Sequence, residues 1–202
     1  MYIPPSFAVT DQKALFDFVD RYSFATLFSQ DEHGPVASHL PLLLDRESGM
    51  LFGHFARANT HWQTAAERTV LVVFHGPHVY ISPSWYAAQN VVPTWNYVAV
   101  HATGTLRLIE DAASVREILE RTVTKYESSR PQPWSTSSPE PAFLEKLQAA
   151  IVGFEIEVTK WEGKWKLSQN HPEERRERVI EGLQASSNPD DRAVAELMRQ
   201  SK

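Results

Sequence analysis

The chain has 202 residues, 42% of them hydrophobic and 22% charged, which suits one soluble globular domain and excludes disordered and fibrous classes. A net charge of -5 gives no general attraction to nucleic acid or to an anionic membrane, and the absence of cysteine rules out disulfides, iron–sulfur clusters and thiol catalysis. No run approaches the roughly 20 apolar residues of a membrane span, and "MYIPPSFAVTD" lacks the basic and apolar regions of a secretory signal; the reading is a cytoplasmic protein with no membrane partner.

In chain order, Thr10 is placed to cap a helix over 11–22, where Leu15, Phe18, Val19 and Tyr22 recur at helical spacing. Short strands follow at 24–29, 35–44, 50–55, 69–75 and 78–82, separated by "DEHG", "DRESG" and "GP" turns. The run "QTAAER" reads as a helix beginning near Thr60. Two long strands are expected at 94–109 and 151–158, the second with Val152, Phe154, Ile156 and Val158 on one face and Glu155 and Glu157 on the other. Between them Asp111 starts a helix with an apolar stripe through Val115, Ile118, Leu119, Val123 and Tyr126, and the Pro- and Ser-rich "SSRPQPWSTSSPEP" is a long surface loop anchored by Trp134. Pro172 and Pro189, followed by acidic residues, open two short helices. The fold expected is mainly β with peripheral helices (α+β), an antiparallel barrel in a single domain over 1–202, extended by C-terminal helices over 172–202.

Three stretches carry chemistry. In "GHFARANTHW", a strand is followed by Arg57, Ala58 and Asn59 and then by a helix start near Thr60, with Asn59 or Thr60 as cap and Trp62 in the first turn. Unpaired N–H groups and a guanidinium fork there suit an anion; a capped surface helix beside a solvated arginine is the plainer alternative. "YISPSWYAAQNVVPTWNY" interleaves Trp85, Tyr86, Trp95 and Tyr97 with Ser82, Ser84 and Asn96, a mixture that suits a planar ring or fills a core. "KWKLSQN" ends a strand with Lys166, Ser168, Gln169 and Asn170, where Lys166 complements an electron-rich ligand or is simply solvated. Six of the eight histidines lie between 39 and 101, but without a helical HExxH or an accompanying carboxylate cluster the expectation is no metal. His39 and His101 read as hydrogen-bonded strand residues, His54 as another such residue or a neighbour of the ring. No Ser/His/Asp set declares itself, and catalytic residues stay unassigned.

Taken together and in order, "SHLPLLL", "GHFARANTHW", "GPHVYISPSWY", "VPTWNYVAVHATG" and "WKLSQN" resemble the PaiB-type FMN-binding negative transcriptional regulators, from "MYIPPSF" to at least "RVIEGL". The resemblance implies a split barrel similar to pyridoxamine-phosphate oxidase and flavin reductases, a homodimer, and FMN at its subunit interface. It implies that Arg57, Ala58 and Asn59 lie near the phosphate and that Ser38, His39 and Leu40 lie beside the flavin ring. His54, Phe55, Trp62, Trp95, Asn96, Lys166, Ser168 and Gln169 complete the candidate cofactor set.

Two functional classes remain open: a flavin-binding repressor, and an FMN-dependent oxidoreductase or flavin reductase with no direct DNA binding. The C-terminal helices carry seven acids and six bases over 172–202, too balanced for a strong DNA-phosphate surface.

Overall fold

A computed structural model describes residues 1–201. Its strands are β1 (Ala8–Val9), β2 (Phe24–Asp31), β3 (Gly34–Pro41), β4 (Leu43–Leu44), β5 (Leu51–Ala56), β6 (Thr69–Ile81), β7 (Thr94–Ile109) and β8 (Ile151–Lys166). Its helices are α1 (Gln12–Arg21), α2 (His61–Ala65), α3 (Ala112–Glu127), α4 (Pro141–Ala149), α5 (Glu173–Gln184) and α6 (Pro189–Gln200). The strands hydrogen-bond in the order β3-β2-β6-β7-β8-β5-β4, with β1 pairing β8. Among the described residues no helix is long and apolar enough to cross a membrane.

Contacts gather into two compact units, and β6, β7 and β8 each give one end to either. The first unit comprises Met1–Phe18, Phe74–His101 and the chain from Glu162 on; the second comprises Val19–Val73 and Ala102–Trp161. In the second, Leu27, Leu42, Leu51, Phe55, Leu106, Phe154 and Ile156 are buried, each contributing about 1.5–3 kcal/mol by leaving water. In the first, Phe74, Ile81, Val98, Val100, Leu167, Ile180, Leu183, Val194 and Met198 do the same. The β8 alternation holds: Val152, Phe154 and Ile156 are buried, and Phe154 stacks on Phe55 at 4.8 Å between centroids.

Several sequence expectations are corrected. The α1 cap is Asp11, which accepts from the Ala14 N–H at 3.0 Å, and not Thr10. "PVASHLPLLL" is two strands, and β1 and α4 were not foreseen. The Gly-Pro pair is no turn: residues 69–81 are one continuous strand. Gly76 is there for packing, because a Cβ would meet Val98 Cγ2 at 2.5 Å and the Phe18 ring at 2.9 Å. α2 is shorter than "QTAAER" suggests. Glu67 takes a left-handed backbone (φ 55°) and donates its N–H to the Leu106 carbonyl at 2.9 Å, which ends the helix. The Pro-rich loop is irregular, as expected, and Trp134 from it lies with Leu119, Val123, Leu144 and Leu147 around an apolar cavity of about 330 Å³.

Gly104 marks the closest approach of β7 and β8, since a Cβ there runs into the Glu157 carbonyl and meets Val158 Cα at 2.8 Å. Backbone cannot rotate aside as a side chain can. Gly104→Ala is expected to lose about 1–3 kcal/mol, as overpacking does; urea denaturation that matches the wild type would show the strands free to part there.

Candidate functional site

The register of β2 and β3 sorts the "SHL" residues. Thr26 pairs with His39 and Leu27 with Ser38, so Ser38 and Leu40 share the buried face while His39 points to the other, where its Nδ1 meets Thr26 Oγ1 at 3.0 Å. On β5 the same alternation buries Phe55 and leaves His54 half-buried on the opposite face. Burial lowers the His54 pKa.

Beneath the β5–α2 turn lies a buried polar network that the sequence reading did not single out. His61 is 3% exposed, and its ring is held between two serines: Nδ1 lies 2.7 Å from Ser38 Oγ and Nε2 2.8 Å from Ser29 Oγ. Asn59 donates from Nδ2 to Ser38 Oγ at 3.0 Å and accepts the His61 N–H on Oδ1 at 3.1 Å. Phe55 packs against the imidazole at 5.5 Å between centroids. Burial pushes the His61 pKa down, and the Asp31 carboxylate opposes this. A neutral imidazole has one N–H. With it on Nδ1, Ser38 accepts two hydrogen bonds and keeps its own hydroxyl proton for a ligand; with it on Nε2, Ser38 donates to the ring and offers only a lone pair.

Above the network, Arg57 is tied to three successive carbonyls at the end of α4 and the start of β8. Its N–H bonds Ala150, its Nε bonds Ala149, and its Nη2 bonds Ile151, each at 2.8 Å. Trp62 Nε1 returns to the Arg57 carbonyl at 3.1 Å. Nη1 of Arg57 and the backbone N–H groups of Ala58 and Thr60 find no partner among the described residues. Thr60 occupies the cap position without a side-chain bond; Asn59 does the capping. Arg57 and Trp62 also edge a cleft of about 750 Å³ whose other walls include Arg116, Gln148 and Gly153, a volume within the range of small-molecule sites. Ser38, Leu40 and Asn59 do not line it. The backbone N–H groups of Ala58 and Thr60 and Nη1 of Arg57 form a set of donors that fits a phosphate.

The remaining candidates belong to the first unit. β7 sends Trp95 and Asn96 to opposite faces. Trp95 is 54% exposed and meets Tyr80 edge-on at 6.0 Å and His78 at 6.2 Å, while Asn96 is wholly buried and bonds the Ser168 hydroxyl at 3.0 Å. Tyr86 is core, stacked on His171 at 4.8 Å, and Trp85 packs on Gly182 of α5. Lys166 donates to Thr94 Oγ1 and to the Trp95 carbonyl, both at 2.5 Å. Gln169 folds back on its own strand end, accepting from the Leu167 N–H at 2.7 Å and donating to the Trp165 carbonyl at 2.6 Å.

His61 carries a measurable consequence. His61→Leu leaves two buried serine hydroxyls without their ring partner, an expected loss of about 1–3 kcal/mol. Because the folded-state pKa of His61 lies below the ordinary 6.5, the unfolded chain takes up the proton first; stability is held above that value and falls as pH drops below it. Urea denaturation at about pH 5 and pH 7.5 should show a smaller pH difference for His61→Leu than for the wild type. An identical difference would mean that His61 is protonated alike in both states.

Comparison with known proteins shows the family and the fold. The family model described as "Putative FMN-binding domain" matches residues 1–160. The chain is 42% identical over 201 residues to the Bacillus subtilis "Protease synthase and sporulation protein PAI 2", covering 98% of this chain and 96% of that one. Solved structures of similar fold include the flavocytochrome Anf3 from Azotobacter vinelandii, with a TM-score of 0.60 at 16% identity over 79% of this chain and 69% of that one. The FAD and heme binding protein from Mycobacterium smegmatis gives a TM-score of 0.59 at 17% identity over 79% and 73%. The fold is that of the split-barrel flavin proteins, with its antiparallel sheet and flanking helices. The chain therefore belongs to the FMN-binding family whose model spans residues 1–160, and FMN is its cofactor.

Proposed function

We propose that this protein is a PaiB-type FMN-binding negative transcriptional regulator, with the FMN phosphate at the Arg57–Thr60 turn. The observation that carries the flavin part is that turn: Arg57 is fixed by three carbonyls and still presents Nη1 beside the free N–H groups of Ala58 and Thr60. Preorganised donors of this kind favour a phosphate because they lose little freedom on binding. In this reading Ser38, with the His61 proton on Nδ1, turns its hydroxyl proton to the flavin ring, and Leu40 lies beside it. Bound FMN supplies reversible one- or two-electron chemistry. The regulatory part follows the relative from Bacillus subtilis, whose name points to protease synthesis and sporulation.

A homodimer belongs to the same proposal. His78, Tyr80 and Trp95 form an aromatic patch on β6 and β7, with Tyr80 47% and Trp95 54% exposed, of the kind that a second copy covers at the centre of an interface.

The second reading, an FMN-dependent oxidoreductase without direct DNA contact, is favoured by the engagement of three of the five arginines of α5 and α6. Arg176 donates to the Met198 and Ser201 carbonyls at 2.9 Å each. Arg178 is shared between the Tyr86 carbonyl and Glu174, and Arg199 donates to Gln184 at 2.8 Å. Cations engaged in this way are poorly placed to neutralise DNA phosphates.

The flavin proposal requires FMN to bind more tightly than riboflavin, which lacks the phosphate. Arg57→Ala should weaken FMN by about 1–3 kcal/mol and leave riboflavin nearly unchanged, with Arg57→Lys intermediate. Equal affinities of the wild type for the two flavins would remove the phosphate from this turn, and a strictly monomeric FMN-loaded protein in micromolar sedimentation would remove the dimer. Titration of the FMN-loaded protein with its own promoter region separates repressor from oxidoreductase. Sequence-selective binding that weakens steeply with salt supports direct repression. Absence of binding together with NADH- or NADPH-driven bleaching of the flavin supports the enzyme.

A further inference from the structure

Helix α4 buries none of its residues, although Leu144 and Leu147 line the cavity of about 330 Å³ that it shares with Leu119 and Val123 of α3 and with Trp134. All of these elements lie in the second unit. No residue of the cofactor set lines this cavity. Arg116, Gln148 and Ile151 do line it, and they also line the neighbouring cleft edged by Arg57 and Trp62.

Both walls opposite α3 are tied to it by polar bonds at its two ends. At the C-terminal end the Trp134 N–H donates to Glu127 Oε2 at 2.9 Å, and the other oxygen of that carboxylate meets Arg130 at 3.1 Å. At the N-terminal end Gln148 Nε2 donates to the Ala112 carbonyl at 2.5 Å. These bonds hold the loop and α4 in place without filling the space between them. Aliphatic side chains and one indole offer water no partners there, and a cavity of that kind takes up apolar molecules.

At the mouth stand two opposite charges. Arg116 and Glu120 lie one turn apart on α3, are exposed and line the cavity, and neither has an ion-pair or hydrogen-bond partner among the described residues. A charged ligand gains at one of them and is repelled by the other. A neutral hydroxyl satisfies both, because it donates its proton to the Glu120 carboxylate and accepts from the Arg116 guanidinium.

We propose that this cavity binds a neutral hydroxyaromatic molecule of one or two rings. The rings lie among the leucines and Val123 against Trp134, and the hydroxyl sits between Arg116 and Glu120. The volume is at the lower end for small-molecule sites, which sets the limit on ring number. The inference does not rest on the flavin reading, since every side chain it uses lies outside the cofactor set.

Equilibrium dialysis of the FMN-loaded protein against 2-naphthol tests this, with 2-methoxynaphthalene as the analogue that cannot donate and 2-naphthoate as the anion. 2-Naphthol is expected to bind saturably, about tenfold more tightly than either. Glu120→Ala should weaken 2-naphthol about tenfold and leave 2-methoxynaphthalene as in the wild type, with Glu120→Gln in between. Val123→Trp, which fills the cavity from α3, should abolish 2-naphthol binding with FMN content unchanged. The proposal is overturned if 2-naphthol does not saturate, if 2-methoxynaphthalene or 2-naphthoate binds as tightly, if Glu120→Ala or a folded Val123→Trp binds 2-naphthol like the wild type, or if 2-naphthol releases FMN.

Discussion

A buried imidazole must satisfy both of its nitrogens, and that one requirement organises the β5–α2 region. His61 meets it with Ser29 from β2 and Ser38 from β3, so the helix start is bonded to two strands of the sheet and not merely packed on them. Because low dielectric strengthens each bond and raises the cost of losing one, the three side chains stand or fall together. Asn59 extends the set to the turn itself by bonding Ser38 with its amide nitrogen and the His61 N–H with its oxygen. A loop of small and polar residues that would otherwise be mobile is thereby fixed from below.

From above it is fixed by Arg57. A guanidinium bonded to the carbonyls at the end of α4 satisfies groups that a helix terminus leaves unpaired, so its charge is partly used in structure. That use restricts its rotamers, and a restricted arginine with Nη1 free binds an anion at smaller entropic cost than a solvated one. The five-residue α2 adds little dipole of its own. The favourable field at the turn comes from individual N–H groups and one arginine rather than from a helix N-terminus, on which the sequence argument relied.

Much of the sheet was legible because burial imposes period-two patterning. Val152, Phe154 and Ile156 alternate with acidic residues, and β7 and α3 begin and end where their patterns and the Asp111 cap say. Gly76 was misread because a Gly-Pro pair signals a turn locally, whereas here the glycine answers to Phe18 and Val98, which are distant in sequence. α4 was hidden by the prolines before it, although Pro141 occupies the first turn, where proline is tolerated. In the candidate site, the residues of the "RANTH" turn were legible as chemistry, but the role of His61 was not. It depends on Ser29 and Ser38, 32 and 23 positions away, and no local pattern reports such a partnership. "TWNY" likewise reads as one aromatic-amide cluster, while the strand sends Trp95 and Asn96 to opposite faces.

In a chain of net charge -5, long-range attraction does not gather anions, and selectivity has to come from local fixed donors. Arg57 is such a donor, engaged by two carbonyls through its guanidinium and held in place by them. The turn offers backbone N–H groups and a tethered guanidinium, a rigid arrangement matched to a compact, highly charged group such as a phosphate monoester.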